Sequence, residues 1–495
     1  MKKTFVMGLD IGTTSSKALL YDFTGNVYGE YEVAYSLFHP KPGWAEQNPN
    51  EIERAAIKAI KKVVEHSQLS PEKLIGIGMS TAMHSLICVN EQHEAISPML
   101  TWADMRCAPQ AAKLQDQSNL YKKTGTPIHP MSPFVKLLWM KENEYEPYTH
   151  AAKFISIKEF ILHKWFGKTA VDYSVASATG LFNIHSLQWE EDALHLAGIK
   201  KEQLSLPVAE TTIFQGMYSV VAQELGLHID TPFIIGGSDG PLANIGVGAI
   251  AENDIAITIG TSGAIRKLSK EPQITTTSQE VFCYRFSQNL SVIGGPSNNG
   301  GNVLKWILET IGHPNQFDLV NELALASPPG SDGLLFLPFL NGERAPYWDS
   351  NIRGGFQGLT TSHQKQHILR AGLEGVIFNL YSISQNLKSQ SHSLYASGGF
   401  ARSSVWLQIL ADIFGEDVFV PESHQSSSWG AAWTALIALG EVDSYYDIKQ
   451  HIPIKKIYYP NEKNHTFYQE LHKIYSELAL TLQHHHHRLA TLLKD

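Results

Sequence analysis

The residues best equipped for chemistry sit at the ends of short apolar runs. Gly12-Thr13-Thr14-Ser15-Ser16-Lys17 follows the run Thr4–Asp10 and combines a glycine, four small hydroxyl residues and an ammonium. Phosphate binding needs convergent backbone N–H groups, which glycine and small hydroxyl residues bring close to a ligand. Gly12, Thr13 and Thr14 are therefore candidate phosphate contacts. Asp10, just before the turn, is a candidate ligand for magnesium, a hard cation that prefers oxygen. The string is not a Walker loop: Gly-x-x-x-x-Gly-Lys-Ser/Thr is absent, and the next segment reads as a strand instead of a helix. A plain β-hairpin with a polar turn and a surface aspartate has the same local pattern. Two more glycine-bearing turns weigh against that reading, Gly260-Thr261-Ser262-Gly263 and Ser397-Gly398-Gly399. Three such turns at strand ends suit the phosphates and adenosine of one nucleotide. The segment Phe233–Pro241 ends a further strand with Gly236-Gly237-Ser238-Asp239, baring a carboxylate where α/β sites commonly lie.

The elements that must position these turns follow from periodicity. Thr4–Asp10, Lys17–Asp22 and Val27–Tyr35 read as strands separated by turns, and Leu74–Ser80 as another. A helix is expected from Asn50, where Asn50 and Glu53 form a capping-box pattern ahead of Ile52, Ala56, Ile60 and Val63. The pattern returns late in the chain, with strands at Ile255–Gly260 and Ala264–Leu268 and a helix from Asn302 to Thr310. Ile11-Gly12-Thr13-Thr14-Ser15 echoes Ile259-Gly260-Thr261-Ser262 at the same place in each copy. Two similar α/β domains are expected, 1–247 and 248–495, with their turns facing across a cleft and Gly246-Val247-Gly248 as a hinge.

Bulk properties exclude several classes. A chain of 495 residues exceeds one hydrophobic core. Lys plus Arg is 39 against 48 for Asp plus Glu, a net charge of −9, which argues against nucleic acid as the main partner. No apolar run reaches membrane-spanning length. Cys88, Cys107 and Cys283 form neither a disulfide framework nor a metal-ligand spacing, which fits a reducing, cytoplasmic setting. His484–His487 reads as the solvated face of a last helix, with metal binding as the other reading. A homodimer is the base-rate expectation.

Taken together, Asp10-x-Gly12-Thr13-Thr14-Ser15, Gly260-Thr261-Ser262-Gly263 and Ser397-Gly398-Gly399 resemble the nucleotide site of the actin-like ATPase superfamily. Within it the chain is similar to the FGGY carbohydrate kinases. Met131–Asn143 resembles that family's first signature throughout. Gly354–Leu359, continuing through His367-Ile368 to Ala371-Gly372-Leu373-Glu374, resembles the second, with a departure at Gly372. Such a resemblance implies two duplicated actin-like (ribonuclease H-like) α/β domains, ATP and Mg2+ as cofactors, and Asp239 as general base. It puts nucleotide contacts at Gly12, Thr13, Thr14, Thr261, Gly301, Gly398, Gly399 and Ser403. Lys305 and Ser403 stand where related glycerol kinases carry amides. Gly342-Glu343-Arg344-Ala345-Pro346 also resembles a family motif and reads as a structural loop.

The implied acceptor is a small sugar or sugar acid, held by Thr81–Ser85 and Trp102–Arg106. His84 offers a donor or acceptor, Trp102 a flat apolar face, and Asp104 an acceptor for adjacent hydroxyls. Arg106 is a carboxylate fork or simply the ion-pair partner of Asp104. Met83 is a substrate contact or core packing, and His129 a further contact or a loop residue. Pentulose kinases of the family usually read Gln-Met-His-Gly and Asp-Asn where this chain has Ala82-Met83-His84-Ser85 and Asp239-Gly240. Ser80–Leu86, Thr101–Asp104, Thr124–Pro133 and Asp172–Gly180 are similar to the family's gluconate kinases instead. A pentulose kinase is the alternative, and a non-enzymatic actin-like nucleotide binder a remote one.

Overall fold

The computed structural model describes residues 4–68, 70–114, 118–274, 279–387, 393–422 and 425–492. They divide into two compact units. The first comprises Met1–Ile250, Leu268–Ile293 and Gln425–Ile452; the second comprises Ala251–Lys267, Gly294–His424 and Pro453–Asp495. Two segments beyond the expected boundary at 247 thus pack with the first unit.

The first unit is built on β1 (Phe5–Ile11), β2 (Ser15–Tyr21), β3 (Val27–Ala34), β4 (Leu74–Thr81), β5 (Ile213–Phe214) and β6 (Phe233–Ser238). Their order is β5-β6-β4-β1-β2-β3. β1 runs antiparallel to β2 and parallel to β4. The second unit repeats this start: β7 (Asp254–Ile259) runs antiparallel to β8 (Gly263–Ser269) and parallel to β9 (Ser393–Ser397). β10 (Val418–Pro421) and β11 (Ile454–Tyr458) extend that sheet beyond β9.

Helices accompany these strands, in chain order α1 (Pro49–His66), α2 (Ile157–Phe166), α3 (Tyr173–Ala178), α4 (Asp239–Gly246), α5 (Gly301–Thr310), α6 (Val320–Leu325), α7 (Lys365–Ser384), α8 (Ser404–Phe414), α9 (Ser426–Ala438) and α10 (Glu462–Leu492). α1 begins earlier than its sequence suggests. Asn48 is the cap, its side chain accepting from the Asn50 N–H, and Pro49 opens the first turn. Glu53 takes no part in a capping box. It is buried, and its carboxylate accepts from the Trp165 indole at 3.0 Å and from Lys164 at 3.1 Å.

β1 is apolar at nearly every position because both of its faces are covered. Phe5, Met7, Leu9 and Ile11 share a core with Ile52, Ala56 and Ile60 of α1, while Val6 packs with Trp429 and Trp433 of α9. The α9 side admits no side chains at its closest points. A Cβ on Gly8 would lie 2.0 Å from the Ser428 carbonyl oxygen, and one on Gly78 1.9 Å from that of Ala431. Gly246, expected at a hinge, is a packing glycine of the same kind: its Cβ would lie 1.9 Å from the Ser426 oxygen.

In the second unit α7 is buried along most of its length. At the signature departure, Gly372, α7 packs closely on α5, a Cβ there lying 2.0 Å from Ile307 Cδ1. α10 buries Tyr468 and Tyr475, and the Tyr468 hydroxyl donates to Glu374 at 2.6 Å. The histidine run lies within α10, where His487 Nε2 meets Asp349 at 2.6 Å. Among the described residues no group of histidine, cysteine or acidic side chains could hold a metal by itself. No described helix is long and apolar enough to cross a membrane.

Candidate active site

The β1–β2 turn folds because its own backbone closes it. The Gly12 N–H donates to the Ser15 oxygen at 2.9 Å. Its carbonyls are then occupied from outside the turn: Tyr35 OH donates to Gly12 O, Gln47 Nε2 to Thr13 O at 2.8 Å, and the Tyr35 N–H to Thr14 O at 3.1 Å. Among the described residues the Thr13 and Thr14 amides have no acceptor within the protein. The β7–β8 turn repeats the arrangement. Gly260 N–H donates to Ser262 O at 2.9 Å, while the Gly260 and Thr261 carbonyls accept from Gly301 and Asn302. The Thr261 and Ser262 amides likewise have no acceptor within the protein among the described residues. Each hairpin therefore offers two adjacent N–H groups, the backbone device that receives phosphate oxygens. The first turns of α5 do not: their N–H groups are spent on the second hairpin.

Asp10, next to the last residue of β1, lies beside Ser80 of β4, whose hydroxyl donates to it at 2.7 Å. Burial pushes its carboxyl up to about 6, with the nearby Asp239 charge adding to the rise and Lys17 opposing it. A buried carboxyl raised further by a neighbouring carboxylate suits a cation, and the oxygen chemistry of Asp10 fits magnesium completed by water and phosphate oxygens. Lys17 is itself engaged, with Glu32 at 3.0 Å and the Gln425 side chain at 3.3 Å.

Asp239 is the first residue of α4, immediately after β6. The strand end before it is held from beneath. Lys158 on α2, fully buried, donates to Asp172 at 2.7 Å and to the Gly237 oxygen at 2.8 Å. Asp172 caps α3 and accepts from Ser174, whose hydroxyl in turn accepts from the Ser238 N–H at 2.7 Å. The two residues preceding Asp239 are thus pinned, and the Asp239 and Lys158 charges interact. The sequence flagged Asp172–Gly180 only as a family-like string, and nothing in it pointed to Lys158 or to support beneath Asp239.

A narrow recess in the same unit is lined by Gly12, Thr13, Met83, Ser85, Trp102 and Ile157. The Trp102 indole donates to the Thr13 hydroxyl at 2.9 Å, tying the recess to the first hairpin. Met83 lines the recess and also packs against the core. His84 holds a left-handed backbone with φ of 65° and meets the Ala178 carbonyl through Nδ1 at 2.6 Å. A carbonyl only accepts, so Nδ1 carries the proton. His129 accepts the Met131 N–H at 3.1 Å, a loop contact.

Arg106 takes the second of its two expected readings, the ion-pair partner of Asp104, and Asp104, expected as an acceptor for substrate hydroxyls, faces Arg106. Arg106 donates through Nε and Nη2 to the two Asp104 oxygens, each at 2.8 Å, also reaches Glu46, and lies 3.6 Å from the Trp44 ring centroid. Their side chains are 0% and 1% exposed. A desolvated bidentate pair with an aromatic lid is a fixed strut. It shapes the loop that presents Trp102.

The second unit contains a cavity of about 440 Å³. Gly260, Gly301 and Gly399 bring backbone to its wall, and Phe317, Asn321 and Trp406 supply flat apolar and amide surfaces. Gly398, with φ of 96°, lets the chain turn where a Cβ would lie 2.5 Å from the Ile259 oxygen. Ser403 lines the cavity, but its hydroxyl caps α8 and donates to Asn321 at 2.8 Å. Lys305 is exposed and lies outside the lining. Size and lining fit a purine nucleoside.

Residues 5–246 match the model of the FGGY family of carbohydrate kinases, N-terminal domain, and residues 255–439 its C-terminal domain. A gluconokinase from Bacillus subtilis (strain 168) is 42% identical, covering 98% of this chain and 98% of its own. Two crystal structures from Lactobacillus acidophilus have TM-scores of 0.93. One is a gluconate kinase at 36% identity, the other a ligand-bound xylulose kinase at 37%, and each comparison covers 97% of this chain and 98% of the other.

Proposed function

Since this chain belongs to the FGGY family of carbohydrate kinases, we propose that the hydroxyl it phosphorylates is the 6-hydroxyl of D-gluconate, with ATP as donor. The observation that carries the acceptor is the 42% identity, over nearly all of both chains, to the Bacillus subtilis gluconokinase. Ala82–Ser85 and Asp239-Gly240 support it, departing from the usual pentulose-kinase strings. The similarity to a xylulose kinase structure keeps a pentulose as the second reading.

Asp239 is the general base: it accepts the proton of the attacking hydroxyl, while Lys158 and Ser174 hold the strand end that carries it. Trp102, Met83 and His84 bind and orient the acceptor. The amides of Thr13, Thr14, Thr261 and Ser262 receive phosphate oxygens, and the glycine-walled cavity takes the adenosine. Asp10 would hold magnesium, which when bound offsets charge developing on the transferred phosphoryl group. Three buried free thiols, Cys88, Cys107 and Cys283, fit a reducing, cytoplasmic setting.

A coupled ADP-release assay over gluconate, xylulose, ribulose, glycerol and fuculose tests the reading. Gluconate should give the highest kcat/KM, and Asp239→Ala should lower its turnover by about 10²–10⁴-fold, the usual cost of a lost acid–base group. Turnover of a ketose without gluconate would overturn the acceptor; near-normal turnover in Asp239→Ala would overturn the base.

A further inference from the structure

Gly342-Glu343-Arg344-Ala345-Pro346 has no part in the chemistry above, yet Glu343 is 1% exposed and carries a carboxylate. One of its oxygens accepts from the Asn298 N–H at 2.7 Å and the Arg344 N–H at 2.8 Å. The other accepts from the Ser297 hydroxyl at 2.7 Å, Asn379 Nδ2 at 2.9 Å and Asn299 Nδ2 at 3.0 Å. Five donors, none of them cationic, surround one buried carboxylate. Burial pushes its pKa up, and those hydrogen bonds oppose the rise. Such an acceptor is costly to bury and is satisfied only while all its donors stay in register.

Three of the five donors are the consecutive residues Ser297, Asn298 and Asn299, which lead directly into Gly300-Gly301. The Gly301 N–H donates to Gly260 O at 2.7 Å and the Asn302 N–H to Thr261 O at 3.1 Å. No slack separates the two loops. A Cβ on Gly300 would lie 2.6 Å from the Ser262 oxygen, and one on Gly301 2.6 Å from the Gly260 oxygen. Asn379, on α7, ties the same carboxylate to the unit's central helix. A shift at 297–299 is therefore passed to the hairpin that offers the Thr261 and Ser262 amides and to two of the glycines walling the cavity.

We infer that Glu343 is a positioning residue for the nucleotide, holding loop 297–301 against hairpin 260–263 so that the phosphate-binding amides and the glycine wall are set before ATP arrives. This rests on reading the cavity as the nucleotide site. It is independent of which sugar is the acceptor.

The test is Glu343→Gln, which keeps the shape but turns one acceptor oxygen into a donor facing donors. Calorimetry with ADP on the full chain should show binding weakened by about tenfold or more, the effect of a charged hydrogen-bond network put out of register. KM for ATP should rise in step, KM for the sugar should stay within about twofold, and the far-UV spectrum should be unchanged. Ser297→Ala removes one donor from the loop side and should move ADP affinity in the same direction by less, giving a second measurement if Glu343→Gln does not fold. Unchanged ADP affinity in both variants, or an equal rise in both KM values, would overturn the inference. Wild-type protein that binds ADP but turns over no gluconate would sink the acceptor alone; wild-type protein that binds no ADP would sink the nucleotide reading and this inference with it.

Discussion

Asp10 shows how a site residue can work against the stability of its own fold. Its carboxyl is raised from 3.8 to about 6, chiefly by burial, so the folded chain holds the proton more tightly than the unfolded chain does. The stabilisation linked to that proton is complete below the unfolded value of 3.8 and is lost as pH rises through about 6. Above that, the ionised group costs up to about 3 kcal/mol unless a cation compensates. In magnesium-free buffer at pH 8, Asp10→Asn should therefore melt higher than the wild type, by a few degrees, while losing activity. The difference should shrink toward zero below about pH 3, where Asp10 is protonated in the folded and the unfolded chain alike. A variant that melts lower at pH 8 would mean that Asp10 is a structural carboxylate instead. Arg106 shows the opposite case: a residue chemically suited to a substrate carboxylate is consumed by Asp104 and Glu46 inside the fold.

At the level of elements, the contact of α9 with β1 and β4 is the most demanding, because helix and strand backbones meet through glycine. Gly78→Ala would put a methyl group 1.9 Å from the Ala431 oxygen, where no rotamer change helps. The expected cost is about 3 kcal/mol, the upper part of the range for overpacking, read as a lower urea midpoint at unchanged slope. A loss below about 0.5 kcal/mol would show that α9 slides freely. What was legible in the sequence follows the same local logic. Both hairpins could be read because strand, turn and strand are adjacent in the chain. The start of α1 was misread because Asn50 and Glu53 matched a cap pattern, whereas Asn48 with Pro49 formed the cap and Trp165 claimed Glu53. Asn321 and Phe317 left no trace as cavity residues, since they come from a short segment about 80 residues before Ser403 and carry no periodic signal. The Lys158–Asp172–Ser174 support was equally hidden: Asp172 and Ser174 stood out only as part of a family-like string, and only the fold brings them with Lys158 under Asp239.

At the scale of the whole molecule, the first unit is discontinuous. Its α9 is drawn from the far end of the sequence and buries Trp429, Trp433 and Leu436. A fragment of residues 1–250 should therefore fail to form a cooperative core, exposing the α9 face of its sheet. Dye binding should be strong and thermal unfolding broad, and adding a 425–452 peptide should sharpen the transition. A fragment that melts cooperatively alone would refute this. The arrangement also sets an order in time. A ribosome adding about 5–20 residues per second needs a further 10–35 s, roughly, after residue 250 before α9 emerges. Through that interval the glycine-lined face of the N-terminal sheet has no native cover. The first unit can therefore complete its fold only once Ser426–Ala438 have been made, however early its own strands are available.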